Sequence, residues 1–206
     1  MEETKLFLIT YFAALLGVVP PGLVNMTVAK TCVERGKKNG LYVAVGAAIV
    51  VLFQALVAVM LAKYIFTHPF VQNILLRAAL VIFILLGVYF FSKAKRGGIA
   101  KHSKKPQSNS IYKGMLVAVL NVFPIPYFVA IAGAMNVGVG LEYDWSRVIS
   151  FALAGSLGTF TSLYLYVLFF VNIEKKTESF AKYSNYFMAF LMLVLIIITV
   201  IRIYNL

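Results

Sequence analysis

Residues Gly17-Val18-Val19-Pro20-Pro21-Gly22-Leu23-Val24-Asn25 interrupt the first long apolar stretch of this 206-residue chain near its middle. The fourth such stretch carries a matching interruption, Asn121-Val122-Phe123-Pro124-Ile125-Pro126. A proline has no N–H, so the carbonyl four residues earlier loses its helical partner. The carbonyls expected to be stranded are those of Leu16 and Gly17 in the first stretch, and of Leu120 and Val122 in the fourth. In a bilayer such groups are tolerated only where neighbouring protein or a wet cavity satisfies them. Two breaks in corresponding spans are the sequence feature that points to a binding site at the membrane midplane.

Beyond each break a new half-helix is expected to begin, with free N–H groups and the positive end of its dipole. Proline suits that first helical position, and Gly22 lets another backbone or a ligand come close. Carbonyl acceptors on one side and N–H donors on the other match a zwitterion, which brings an ammonium and a carboxylate. Pro20, Pro21, Gly22, Pro124 and Pro126 are therefore read as the frame of a substrate site.

Composition places the breaks in a membrane. Apolar residues make up 62% of the chain and charged residues 13%, against about 45–50% and 25% in soluble domains. Six segments are apolar and long enough to span: about Leu6 to Lys30, Gly40 to Ile65, Phe70 to Ser92, Lys113 to Val139, Ser146 to Val171, and Tyr183 to Tyr204. The N-terminal run is expected to be the first of these and not a cleaved signal, because Glu2 and Glu3 stand where a basic region should be. The fold class expected is an all-α integral membrane protein of six transmembrane helices. Residues 1–92 form a first half of three spans, 93–112 a basic linker, and 113–206 a second half of three. With three spans per half the second half enters from the opposite side, so the repeat is inverted, with helices one and four broken. Pro20 to Pro124 and Gly46 to Gly155 are the residue pairs that suggest it.

The net charge of +12 is distributed as a topology signal. Fourteen of the nineteen Lys and Arg residues lie in the loops after the first, third and fifth spans. The positive-inside rule makes those loops cytoplasmic and puts both termini outside. Lys101, Lys104 and Lys105 in the linker are best explained the same way. Anionic lipid headgroups are the sharper alternative, and no aromatic interleaving supports a nucleic-acid partner.

Polar side chains at depth are few, and an amide in lipid is costly unless it faces the bundle or water. Gln54 lies near the middle of span two, Thr159, Thr161 and Ser162 near the middle of span five, and Asn25 and Asn121 beside the two breaks. For Gln54 a ligand contact and a helix–helix hydrogen bond weigh equally. The hydroxyls more often bond between helices or to their own backbone. Thr159 is kept as a candidate contact together with Asn25, Gln54 and Asn121.

All seven acids lie in loops or near the termini, so a bare cation would find no countercharge in the spans. One cysteine, Cys32, excludes an internal disulfide, and His68 and His102 are too few for a metal site. No catalytic constellation stands within the spans, so neither an enzyme, a metal nor a cofactor is expected.

The chain resembles the LysE/RhtB superfamily of amino-acid exporters. The resemblance rests on Pro21-Gly22 in the first helix, on Gly36-Lys37-Lys38-Asn39-Gly40-Leu41 and Gly46 leading into the second, and on Asn121-Val122-Phe123-Pro124 in the fourth. It covers most of the chain. There are departures: Leu23 follows Pro21-Gly22 where the family commonly has a second proline, the Asn-Pro pair is spread out, and Ile49-Val50-Val51-Leu52 stands where many members place an acid. The resemblance implies export of amino acids or related metabolites across the cytoplasmic (inner) membrane of a bacterium. Alternating access on a small zwitterion is the leading expectation, with the lipid bilayer as surroundings and homo-oligomer formation left open. A non-transporting scaffold or assembly subunit is the alternative.

Overall fold

The computed structural model describes residues 2–19, 22–96, 109–121, 123–137, 144–173 and 177–204. Those residues form eight helices: α1 (Glu2–Val18), α2 (Leu23–Arg35), α3 (Lys37–Thr67), α4 (Pro69–Arg96), α5 (Ser110–Leu120), α6 (Pro124–Ala134), α7 (Trp145–Ile173) and α8 (Thr177–Tyr204). Pro20, Pro21, Val122 and the linker lysines Lys101, Lys104 and Lys105 lie outside the described residues.

Three helices are long and apolar enough to cross a membrane by themselves, over Lys37–Thr67, Asn73–Ser92 and Trp145–Phe169. Two helix pairs pass the same test jointly, Glu3–Val18 with Leu23–Arg35 and Ser110–Leu120 with Pro124–Ala134, each bent by 68°. The expected sixth span falls in α8, where the described apolar stretch is only Met192–Ile201. Both bends fall at the proline clusters.

The sequence sets the helix boundaries. Gly36 joins α2 to α3 as a single residue at φ +83°, a conformation that side chains on Cβ disfavour. Asn109 caps α5 by accepting from Ile111 N at 3.1 Å, and Asp144 caps α7 by accepting from Ser146 N at 2.9 Å. Pro124 occupies the first position of α6, with Phe123 as its cap. Its missing N–H therefore falls where no helical bond is due, so Pro124 opens a helix and does not interrupt one.

The helices divide into two compact units. In one, α4 packs against α8, with Met192 beside Gly87 and the Phe91 ring edge-on to Tyr186. The other contains α1, α2, α3, α5, α6 and α7. Each sequence half thus gives its broken pair and its second long helix to the larger unit, and its last helix to the smaller.

Small residues on α3 (Ala44, Ala47, Ala55, Ala58, Ala62) are all fully buried and recur at helical spacing, which lets α5 and α6 approach closely. The core beside them holds Leu6, Val51, Val59, Phe128, Val148 and Phe151. Three glycines mark tight backbone approaches between halves, among them Gly114 of α5, where a Cβ would collide with the Val43 carbonyl of α3. A Cβ on Gly46 of α3 would collide with the Ile111 carbonyl of α5, and one on Gly158 of α7 with the Tyr11 carbonyl of α1. Gly158, and not Gly155, therefore makes the contact that mirrors Gly46. Gly155 instead faces the Phe128 ring.

At the end where α2, α3 and α5 meet, the packing is closed by polar contacts. Lys113 Nζ donates to the buried Thr31 Oγ1 at 3.0 Å, and Ser110 Oγ bonds Asn39 Oδ1 at 3.1 Å.

Candidate functional site

The two bends pose one physical problem, namely carbonyls at a helix end with no helical donor. At the first, the chain tightens so that Val19 N donates to Leu16 O at 3.2 Å. Leu16, expected to be stranded, is thereby satisfied. The carbonyls held from outside are those of Val18 and Val19, and not that of Gly17 as expected. Asn25, at the third position of α2, turns its side chain back and donates from Nδ2 to Val18 O. Tyr166 reaches across from α7 and donates to Val19 O at 2.6 Å, with its hydroxyl also within bonding reach of Asn25.

At the second bend the donor is Gln54, from α3. Its Nε2 donates to Ala118 O at 3.1 Å and to Asn121 O at 3.0 Å. The two bonds fix the amide's orientation, since reversing it would set oxygen against two carbonyl oxygens. Gln54 is 8% exposed, and its Oε1 has no hydrogen-bond partner among the described residues. A buried acceptor left in that state costs about 1–3 kcal/mol, so it is a position where a donor gains binding energy. Thr10 Oγ1 on α1 is also buried without a partner among the described residues. A hydroxyl can rotate toward its own helix's carbonyls, which an amide fixed by two bonds cannot do.

The donors and acceptors are unequally shared. Helix α2 begins at Leu23 with Gly22 as its cap, no capping side chain and no acid in its first turn. Its first helical bond is Met26 N to Gly22 O at 3.0 Å, so the N–H groups of Leu23, Val24 and Asn25 precede the helical ladder. Helix α6 begins Pro124-Ile125-Pro126, and of those three residues Ile125 alone has an N–H. Donors therefore remain throughout the first three positions beyond the first break, whereas beyond the second the prolines remove two of three and leave that of Ile125.

Tyr127, in the first turn of α6, joins the two breaks. Its hydroxyl donates to Ala13 O of α1 at 2.7 Å, and its ring lies so near Gly17 that a Cβ there would stand 2.7 Å from it. A third tyrosine, Tyr11, donates to Thr161 Oγ1 at 3.0 Å, and Thr161 itself donates to Leu157 O at 2.9 Å.

Of the residues expected at the site, Asn25 is at the first bend, Gln54, Asn121 and Pro124 are at the second, where Asn121 takes part through its backbone carbonyl, and Pro126 is in the first turn of α6. Gly22 caps α2 with open space around it. Thr159 is buried on α7, next to Gly158. Tyr166, Tyr127 and Tyr11 were not expected. One signal could have found Tyr166. It follows Gly158 by the same eight residues that separate Gln54 from Gly46. On each long helix, then, a glycine presses on the other half's broken helix, and a polar side chain about two turns on bonds a carbonyl at that helix's break.

The LysE type translocator family model matches residues 15–201. No curated protein and no solved structure matches the chain. The family match runs through both bends, from the last turn of α1 to within three residues of the end of α8. The chain belongs to the LysE type translocator family and is a multi-pass membrane transporter.

Proposed function

We propose that this translocator exports amino acids or related small zwitterionic metabolites, holding them between its two breaks during alternating access. The observation that carries the reading is Gln54 Oε1, a buried acceptor with no partner among the described residues, at the end of a broken helix. The substrate's ammonium would donate to it. The carboxylate would lie toward the start of α2, where the positive end of the helix dipole, with no acid in the first turn, favours an anion. Tyr127 supports simultaneous engagement, because it ties α6 to α1 beside both breaks.

Six spans arranged as two inverted halves fit the matched glycine contacts and the equal 68° bends. The family favours a bacterial inner membrane location, and the excess of Lys and Arg on three loops favours those loops being cytoplasmic with both termini outside. In that orientation the Lys113–Thr31 and Ser110–Asn39 contacts close the cytoplasmic end. Lipid surrounds the exposed apolar side chains, and a homo-oligomer is compatible with them.

The test is a thermal-shift screen of the purified protein against amino acids, since a ligand that binds only the folded state raises its apparent stability. A hit is expected to lose its effect when its amine is replaced by hydrogen or its carboxylate by an amide. Equal shifts from such single-charge analogues would overturn the zwitterion reading.

A further inference from the structure

At the end of the larger unit opposite the Lys113–Thr31 contact, α1, α6 and α7 leave a cavity of about 170 Å³ lined by Lys5, Leu6, Met135 and Arg147. A water occupies roughly 30 Å³ of liquid, so the space suits a few waters or one small organic ion and nothing drug-sized.

Its walls have two characters. Lys5 and Arg147 bring two positive charges, while Leu6, only 1% exposed, and Met135 supply an apolar side. Among the described residues Arg147 is held by one bond, from Nη2 to Met135 O at 3.4 Å, which leaves most of its five donors for another acceptor. Acids stand close by, but both are engaged with uncharged donors. Glu3 Oε1 accepts from Ser146 Oγ at 2.8 Å, and Asp144 Oδ1 accepts from the N–H groups that begin α7. Among the described residues neither Lys5 nor Arg147 has an ion-pair partner.

We infer that this cavity is a binding site for a small carboxylate, separate from the helix breaks. Arg147 supplies the fork, Lys5 the second charge, and Leu6 and Met135 receive a short aliphatic tail. The two-character lining favours an organic carboxylate over a bare phosphate or a lipid phosphate group, which would gain nothing from the apolar wall. The inference rests on the cavity and not on the export reading, so either can fail without the other.

Trp145, the chain's one tryptophan, lies two residues before Arg147 and gives a local fluorescence probe. The experiment titrates sodium butyrate into the purified full-length protein at low ionic strength, with sodium chloride as the matched control and sodium phosphate as a second arm. A saturable change in emission with butyrate is expected. Lys5→Gln and Arg147→Gln should each weaken it by at least about tenfold, as expected for losing a charge-assisted hydrogen bond. Arg147→Lys should retain part of the response, and Gln54→Leu all of it. An unsaturable response, or an undiminished one in both Lys5→Gln and Arg147→Gln, would overturn the site. Phosphate saturating as tightly as butyrate would overturn its assignment to carboxylates. If Arg147→Gln fails to fold, Lys5→Gln decides alone, because Lys5 is exposed.

Discussion

The first and second breaks solve the same problem with different chemistry. At the first, two donors meet two carbonyls: Asn25 satisfies Val18, and Tyr166 satisfies Val19. At the second, one amide satisfies both Ala118 and Asn121 and retains an acceptor with no partner among the described residues. The N–H groups are distributed in the opposite sense, present at all of the first three residues of α2 and removed by proline from two of the first three of α6. A single break of either kind would favour one charge. On the proposed reading the two together offer complementary ends, an acceptor at Gln54 and the positive dipole end of α2.

The comparison can be broken most forcefully at its shared scaffold. Gly46→Leu and Gly158→Leu each drive a side chain into the backbone of the facing helix. Overpacking of this kind typically costs about 1–3 kcal/mol, and more where the obstacle is backbone. Both variants should lose folded yield or melt well below the wild type in detergent. If one of them melts like the wild type, the two glycine contacts are not equivalent.

Gln54→Leu comes next. It leaves the Ala118 and Asn121 carbonyls without their side-chain donor, a penalty of about 1–3 kcal/mol, and it removes the substrate's acceptor. Its melting temperature should fall while amino acids cease to raise it. Tyr166→Phe removes one hydrogen bond and no ligand group. Membrane hydrogen bonds are worth about 0.6–2 kcal/mol, so a modest loss of melting temperature with ligand response retained is the expected result. Loss of ligand response in Tyr166→Phe, with folding intact, would erase the functional difference between the breaks.

Pro126→Ala should have the smallest effect. It restores an N–H in the first turn of α6, where proline was tolerated, so stability should change by no more than about 0.5 kcal/mol. The added donor faces the end assigned to the ammonium and should weaken amino-acid binding a few-fold. Tighter binding, read from the same thermal-shift titration, would place the carboxylate at α6 instead.

The breaks themselves were legible because proline acts through the backbone, in any fold. Gln54 was legible because an amide inside Val50-Val51-Leu52-Phe53-Gln54-Ala55-Leu56 has no cheap place in lipid. Tyr11, Tyr127 and Tyr166 were hidden by their own chemistry: their rings count as apolar, and only a three-dimensional neighbour shows what the hydroxyl reaches. The glycine match was misplaced by one turn, since Gly155 and Gly158 are both present and spacing alone cannot tell which one meets backbone. The loss of donors at α6 was in principle readable from Pro124 and Pro126. It needed the helix start, which fixes those prolines as members of the first turn and makes their missing N–H groups a property of the site.

The central claim, that substrate is held between the two breaks with Gln54 Oε1 accepting its ammonium while the Tyr166 bond only supports the first break, is tested most directly by export from vesicles loaded with a labelled amino acid. Wild type, Gln54→Leu and Tyr166→Phe are compared at equal amounts of folded, inserted protein. The account predicts that Gln54→Leu loses nearly all export and that Tyr166→Phe keeps most of it. A well-folded Gln54→Leu that exports as fast as wild type would contradict it.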